Sequence, residues 1–174
     1  MISISKGWML PQEVFDWIDS NINCGSRILE FGSGNGSKIL SEKYDLISIE
    51  HDETWLNMGD GKYIHAEIRE NRYSTQFSQR GWYDVEKIVG LPSDVELIII
   101  DGPPGEIGRA GILYVLNDLP STKWILVDDT DREDEKLLLS NLVKFFQPLK
   151  LLNIISKSKR QNGMNREAVL IKVR

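Results

Sequence analysis

Apolar residues recur along the chain with a period that switches between two and about 3.6, and the switches divide it into elements. Val14, Phe15, Ile18 and Ile22 share one face at helical spacing, which predicts a first helix opened by Pro11 and ended near Gly25. Residues 28–32 read as a short strand running into glycines, followed by a short helix near 37–44. Strands are expected at 46–50 and, more weakly, at 62–68. Residues 69–92 are polar and irregular apart from one helix over 82–89. Residues 95–101 form a nearly continuous apolar run, the pattern of a strand buried on both faces of a parallel sheet. A helix carrying Ile112, Val115, Leu116 and Leu119 follows, then a fifth strand at 123–128. The longest helix is expected over 131–146, with Leu138, Leu142 and Phe145 at helical spacing and acids in its first turn. After Pro148 the period changes again: 149–156 and 167–173 read as two strands with no helix between them, hence antiparallel.

Strands alternating with helices imply an α/β fold: a doubly wound, mostly parallel seven-stranded sheet with helices on both faces, closed by a C-terminal antiparallel hairpin. Neither a repeat nor a linker divides the 174 residues, so a single domain over 1–174 is expected. The longest purely apolar run, 97–100, is far short of the roughly 20 residues a membrane span needs, and the N-terminus lacks the apolar stretch of a signal peptide. A cytoplasmic protein without membrane attachment is the expectation. Cys24 is the single cysteine, which excludes an intrachain disulfide and a cysteine-rich zinc site, and two histidines are too few for a histidine-dominated one. A net charge of −5 argues against nucleic acid as a partner, since such surfaces are usually basic.

Glu30-Phe31-Gly32-Ser33-Gly34-Asn35-Gly36 reads E-x-G-x-G-x-G where the first strand ends and a helix begins. Glycines there permit positive φ and let a ligand reach the backbone without meeting a Cβ, and the helix beyond has free N–H groups. A dinucleotide fingerprint needs glycine where Ser37 stands, and a P-loop needs glycine immediately before the lysine, where Ser37 again stands. Twenty residues beyond Glu30, Glu50 ends the second strand, placed to accept hydrogen bonds from ribose hydroxyls. Together with an acid after the fourth strand and the closing hairpin, this ordered set resembles the class I S-adenosylmethionine-dependent methyltransferases, over nearly the whole chain. The resemblance implies a Rossmann-like sheet and S-adenosylmethionine as cofactor. It places Glu30 near the methionine amino group, Gly32, Ser33, Gly34 and Gly36 against the cofactor, Glu50 on the ribose and His51 beside the adenine.

The fourth strand ends Asp101-Gly102-Pro103-Pro104-Gly105 and the fifth ends Asp128-Asp129-Thr130. Ligands of open α/β sheets bind at such carboxyl ends. Methyl transfer requires alignment of nucleophile, methyl and sulfur, and a hydroxyl nucleophile also needs a base or a metal to take its proton. Asp101 is the first candidate, contacting cofactor and acceptor, with Asp128, Asp129 and Arg109 in support. The pattern also resembles the catechol-type O-methyltransferases, whose magnesium site uses an Asp after strand four and an Asp-Asn pair after strand five. That resemblance implies Mg2+ on Asp101, Asp128 and Asp129, with Asp129 replacing the asparagine. Asp-Gly-Pro-Pro-Gly with Arg109, and His51-Asp52-Glu53 followed by Trp55, further resemble short motifs of small sugar and glycan methyltransferases.

Arg69, Arg72, Arg80 and Arg109, with Lys157, Lys159, Arg160 and Arg166 in the hairpin loop, favour an anionic acceptor as a group, although each alone reads better as a solvated charge. Trp8, Trp55, Trp82 and Tyr83 at segment edges suit either a ligand face or the sealing of the core. His65 and Cys24 read as structural residues. The expected reaction is methyl transfer from S-adenosylmethionine to oxygen of a small acceptor, anionic or carbohydrate-like. Two competing readings are a nicotinamide-dependent oxidoreductase, disfavoured by Ser37 and the hairpin, and a non-catalytic S-adenosylmethionine-binding partner protein. Methylation of nucleic-acid amino groups is disfavoured because Asp101-Gly102-Pro103-Pro104 lacks a stacking aromatic.

Overall fold

The computed structural model describes residues 9–70, 81–160 and 162–174. Seven strands form one sheet: β1 (Arg27–Phe31), β2 (Asp45–Glu50), β3 (Lys62–His65), β6 (Asp94–Ile100), β7 (Ser121–Val127), β8 (Lys150–Lys159) and β9 (Asn165–Lys172). A separate ribbon pairs β4 (Ile68–Glu70) with β5 (Gly81–Tyr83). The sheet order is β3-β2-β1-β6-β7-β9-β8, parallel from β3 to β7. β9 inserts antiparallel between β7 and β8, with Leu126 opposite Leu170 and Leu170 opposite Leu152. The doubly wound, mostly parallel sheet and its closing hairpin are thus as the sequence pattern implies.

Helices α1 (Gln12–Asn21) and α2 (Asn35–Ser41) cover one face, where Val14, Phe15, Ile18 and Leu40 pack on Ile28, Leu46, Leu97, Ile99, Leu126 and Leu170. Helix α3 (Glu133–Phe146) covers the other through Leu138 and Leu142, against Leu29, Ile98, Ile125 and Ile171. The central strands are apolar on both sides because both sides are covered. Burial of these side chains supplies the main folding force, at about 25 cal/mol per Å² of apolar surface removed from water.

Two expected helices are absent. Residues 82–89 form β5 and a 3-10 turn (Val85–Lys87) instead: Trp82 and Tyr83 are buried with ring centres 5.4 and 6.1 Å from Phe31, and Asp84 accepts the Glu86 N–H to cap the turn. Residues 110–114 form a 3-10 helix rather than the start of an α-helix. A Cβ on Gly111 would lie 2.2 Å from Trp82, so the backbone is pressed directly onto that ring. Ile112 and Leu116 are buried all the same, so the apolar stripe is real although the helix type differs. The weak strand at 62–68 divides into β3 and β4, the second belonging to the ribbon. Lys157 and Lys159 lie on β8 and not in the hairpin loop. Cys24 is exposed, its thiol donating to the Lys43 carbonyl at 3.2 Å, so it is not a packing residue. Among the described residues, no helix is long and apolar enough to cross a membrane.

Candidate active site

The strand order reverses on either side of β1, whose neighbours are β2 and β6, and such a switch point opens a crevice at the carboxyl ends. Two glycine turns meet there. Gly32, at φ +90°, follows β1, and a Cβ on it would stand 2.7 Å from the Gly102 Cα; a Cβ on Gly102 would stand 2.5 Å from both the Gly32 Cα and the Tyr83 hydroxyl. The crevice floor is therefore bare backbone, and glycine is required at both positions. Beyond it, Ser37 closes the turn into α2 by accepting the Gly34 N–H at 3.0 Å. Gly36 is buried, and a Cβ on it would stand 3.0 Å from the Phe15 ring.

Glu30 is buried on β1 and accepts from the Ser48 hydroxyl at 2.5 Å. Burial pushes its carboxyl up to about 7, against the hydroxyls of Ser37 and Ser48, which favour the ionised form. Glu50 is buried at the end of β2. One oxygen accepts the Ser33 N–H at 2.9 Å, and the other accepts the N–H groups of His51 and Asp52 at 2.6 and 2.8 Å and lies 2.6 Å from His51 Nδ1. Burial raises its carboxyl, but the bonds from His51, Asp52 and Ser33 outweigh it and hold it below the usual range. The Glu50 carboxylate in turn raises the His51 imidazole, burial opposing. Ser33 also donates through Oγ to the Trp55 carbonyl at 2.7 Å, which stitches the glycine loop to the turn after β2. His65 has the structural role expected of it, its Nε2 bonding the His51 carbonyl at 2.9 Å.

The acids after β6 and β7 form a second cluster beside the first. Oxygens of Asp101, Asp128 and Asp129 all lie within 4.8 Å of one another. Arg109, 2% exposed, threads between them: Nη2 lies 3.3 Å from Asp101 and 2.9 Å from Asp129, Nη1 donates to the Asp128 carbonyl at 3.0 Å, and Nε donates to the Pro103 carbonyl. Glu135 approaches the same guanidinium at 3.9 Å. Arg132 and Arg160 also bind Asp129, Arg160 binds Asp131, and Arg166 binds Asp128 at 2.8 Å. Burial, reinforced by Asp128, pushes the Asp101 carboxyl well up, with Arg109 opposing. Asp129 is also buried, but its arginines win and lower it.

Three carboxylates in this span would suit a hard cation by number alone. Asp101 Oδ1, Asp128 Oδ2 and both Asp129 oxygens, however, are directed at guanidiniums, Asp128 Oδ1 being buried without a hydrogen-bond partner, and a divalent ion would have to share the cluster with the Arg109 charge. The donor set does not fit Mg2+.

Ten of the eleven residues singled out gather around the carboxyl ends of β1, β2, β6 and β7, and the eleventh, Gly36, packs on Phe15 in the first turn of α2. Among the described residues, four of the arginines singled out are engaged with acids. Arg109, Arg160 and Arg166 neutralise the acids, and Arg69 pairs with Asp84 at 2.9 Å. Arg72, Arg80 and Trp8 lie outside the described residues. Trp82 seals the core edge, whereas the Tyr83 hydroxyl ends at the Gly32–Gly102 contact, buried and without a hydrogen-bond partner. Sequence reasoning missed the pairing of Arg160 and Arg166 with Asp128, Asp129 and Asp131. Its signal was present: a run rich in cations, with no acid between Ser156 and Arg166, that must face an acid-rich strand end across a closing hairpin.

No protein-family model matches the sequence, nor does any curated protein. Solved structures do share its fold. The METTL16 methyltransferase domain superposes with a TM-score of 0.59 at 12% identity, over 92% of this chain and 65% of that one, so the chain spans about two thirds of that domain. Another METTL16 structure contains MAT2A 3′UTR hairpin 1. A putative methyltransferase from Streptococcus mutans in complex with SAH matches with a TM-score of 0.54 at 12% identity, over 94% of this chain and 99% of that one. Precorrin 8w decarboxylase from Methanobacterium thermoautotrophicum matches with a TM-score of 0.56 at 16% identity, over 92% and 89%. The chain has the Rossmann-like fold of the class I methyltransferases.

Proposed function

We propose that this chain is an S-adenosylmethionine-dependent methyltransferase. The observation that carries the reading is the meeting of Gly32 and Gly102 at the switch point, with Glu30, Glu50 and Asp101 converging on one crevice from three adjacent strands. In this reading Glu30 receives the ammonium of the methionine moiety, the loop 32–34 receives its backbone, Glu50 takes the ribose hydroxyls and His51 lies beside the adenine. The structure solved with SAH on the same fold supports that choice of cofactor. Asp101 is the least buried member of the acid cluster, with 27% of its side chain exposed, and serves as the base. Bound S-adenosylmethionine would supply a methyl carbon activated by its sulfonium, the electron pair of the broken C–S bond would stay on sulfur as the acceptor oxygen takes the methyl, and Asp101 would accept the acceptor's proton. A carboxylate whose proton affinity is raised is a better base when ionised. Arg109 fixes its position and metal chemistry enters no step.

The acceptor in this reading is small and carries a hydroxyl, as in sugar-like molecules. Its anionic character loses support, because Arg69, Arg109, Arg160 and Arg166 are engaged with acids. The METTL16 hairpin complex favours a second acceptor class, RNA, and weakens the charge argument against it. The decisive experiment is a melting curve with S-adenosylmethionine, its demethylated product and NAD, each with and without Mg2+. A rise on the order of 5–10 °C with the first two only, unaltered by Mg2+, is expected at saturating ligand. A rise with NAD alone would replace the reading by an oxidoreductase. Transfer of radiolabelled methyl to hydroxylated sugars or to RNA hairpins then decides the acceptor. Asp101→Asn is expected to bind cofactor and transfer nothing; a non-catalytic binding protein would transfer nothing even before that change.

A further inference from the structure

We infer that Arg109 is the built-in cation of the acid cluster: its guanidinium occupies the place a divalent ion would take among Asp101, Asp128 and Asp129, and the native cluster binds no metal. A hard cation with bonds of about 2.0–2.6 Å holds opposing oxygens about 4–5 Å apart. Carboxylate oxygens of the three aspartates lie within such a span, 4.8 Å, and the Arg109 guanidinium, 2% exposed, bridges two of them, Asp101 and Asp129, and bonds the backbone of the third, Asp128, whose carboxylate is held by Arg166. Its position is fixed independently of the carboxylates, because Nη1 and Nε donate to the backbone carbonyls of Asp128 and Pro103. Swinging it out would leave buried carbonyls unpaired, which is costly. The charges nearly balance as well. The five acids Asp101, Asp128, Asp129, Asp131 and Glu135 face the four arginines Arg109, Arg132, Arg160 and Arg166, a formal sum of one negative charge, so an added divalent ion would overshoot neutrality by one. With Arg109 removed, the same oxygens surround an uncompensated centre of the size a metal fills.

Mn2+ binding tests this without cofactor or acceptor, so its outcome is separable from the methyltransferase reading. Free Mn2+ would be followed by electron paramagnetic resonance, alongside melting temperature, for the wild type, Arg109→Met and Arg109→Met with Asp129→Asn. The wild type is expected to leave Mn2+ free and to melt at one temperature with Mn2+ or a chelator. Arg109→Met is expected to melt lower, to bind Mn2+ and to regain about 5–10 °C at saturation. The double variant should lose that response. Mn2+ binding by the wild type that disappears in Asp101→Asn overturns the inference, as does a folded Arg109→Met that binds no Mn2+. If Arg109→Met does not fold, the wild-type arm decides alone: binding that is lost in Asp101→Asn refutes the inference, and its absence supports it.

Discussion

Replacing Glu30 by glutamine isolates the cost of holding an acid beneath the crevice. The Glu30 carboxyl titrates near 7 in the fold against an ordinary 4.5, because burial penalises the charge more than the Ser37 and Ser48 hydroxyls compensate. The raised value means that the folded state holds the proton more tightly than the unfolded chain does. Below pH 4.5 both states are protonated and Glu30 costs nothing. Between about 4.5 and 7 the unfolded chain releases its proton first, so stability falls as pH rises. Above 7 the full difference applies, at about 1.4 kcal/mol per pH unit, or about 3 kcal/mol. Glu30→Gln keeps the shape and removes the charge, so it should match the wild type at pH 4.5 and exceed it by up to about 3 kcal/mol at pH 8.5. For a domain of this size that is a rise of about 6–12 °C in melting temperature. Urea unfolding at several pH values measures it directly, and taking the difference between the two proteins cancels every other titrating group. A difference that stays constant from pH 4.5 to 8.5 would refute the argument. The same variant should bind S-adenosylmethionine more weakly at pH 8.5, because an ammonium would then face an amide.

Gly102→Ala drives a methyl into the Gly32 backbone and the Tyr83 hydroxyl; a loss of about 1–3 kcal/mol and of the cofactor-induced melting shift is expected, with only partial relief from an added Tyr83→Phe. Tyr83→Phe alone removes a buried hydroxyl without a partner and should leave urea stability equal or up to about 1–3 kcal/mol higher, never lower. Asp129→Ala strips a shared partner from Arg109, Arg132 and Arg160, so calorimetry should show a loss of about 3–5 kcal/mol.

What the sequence reveals and what it hides divide along physical lines. Glu50 and the glycine loop are legible because strand, turn and helix follow one another locally, and the spacing from Glu30 fixes where β2 must end. The sheet is legible because residues 95–101 and 123–128 are apolar enough to demand cover on both faces. Arg109 is not legible as a buried group: its partners lie at the ends of two strands, and only their parallel register brings Asp101 and Asp129 to the same guanidinium. The helices expected at 82–89 and through Ile112, Val115, Leu116 and Leu119 fail for a similar reason. The Trp82 side chain is pressed against Gly111, and that contact between distant segments overrides a local pattern that is genuinely helical in spacing.

The insertion of β9 between β7 and β8 has a consequence for biosynthesis. The ribosome delivers β8 before β9, yet β8 has no sheet to join until β9 has paired with β7. Arg166, which compensates Asp128, travels on that same strand. A nascent chain complete through β8 therefore presents a bare β7 edge and acids without their partner. The stretch most exposed to mispairing or to chaperone capture is the interval before residue 172 clears the exit tunnel, and at about 5–20 residues per second that interval is short. The Asp128 charge is therefore compensated late, only once β9 has paired with β7, whereas the β1, β2 and β6 ends that form the crevice are already made.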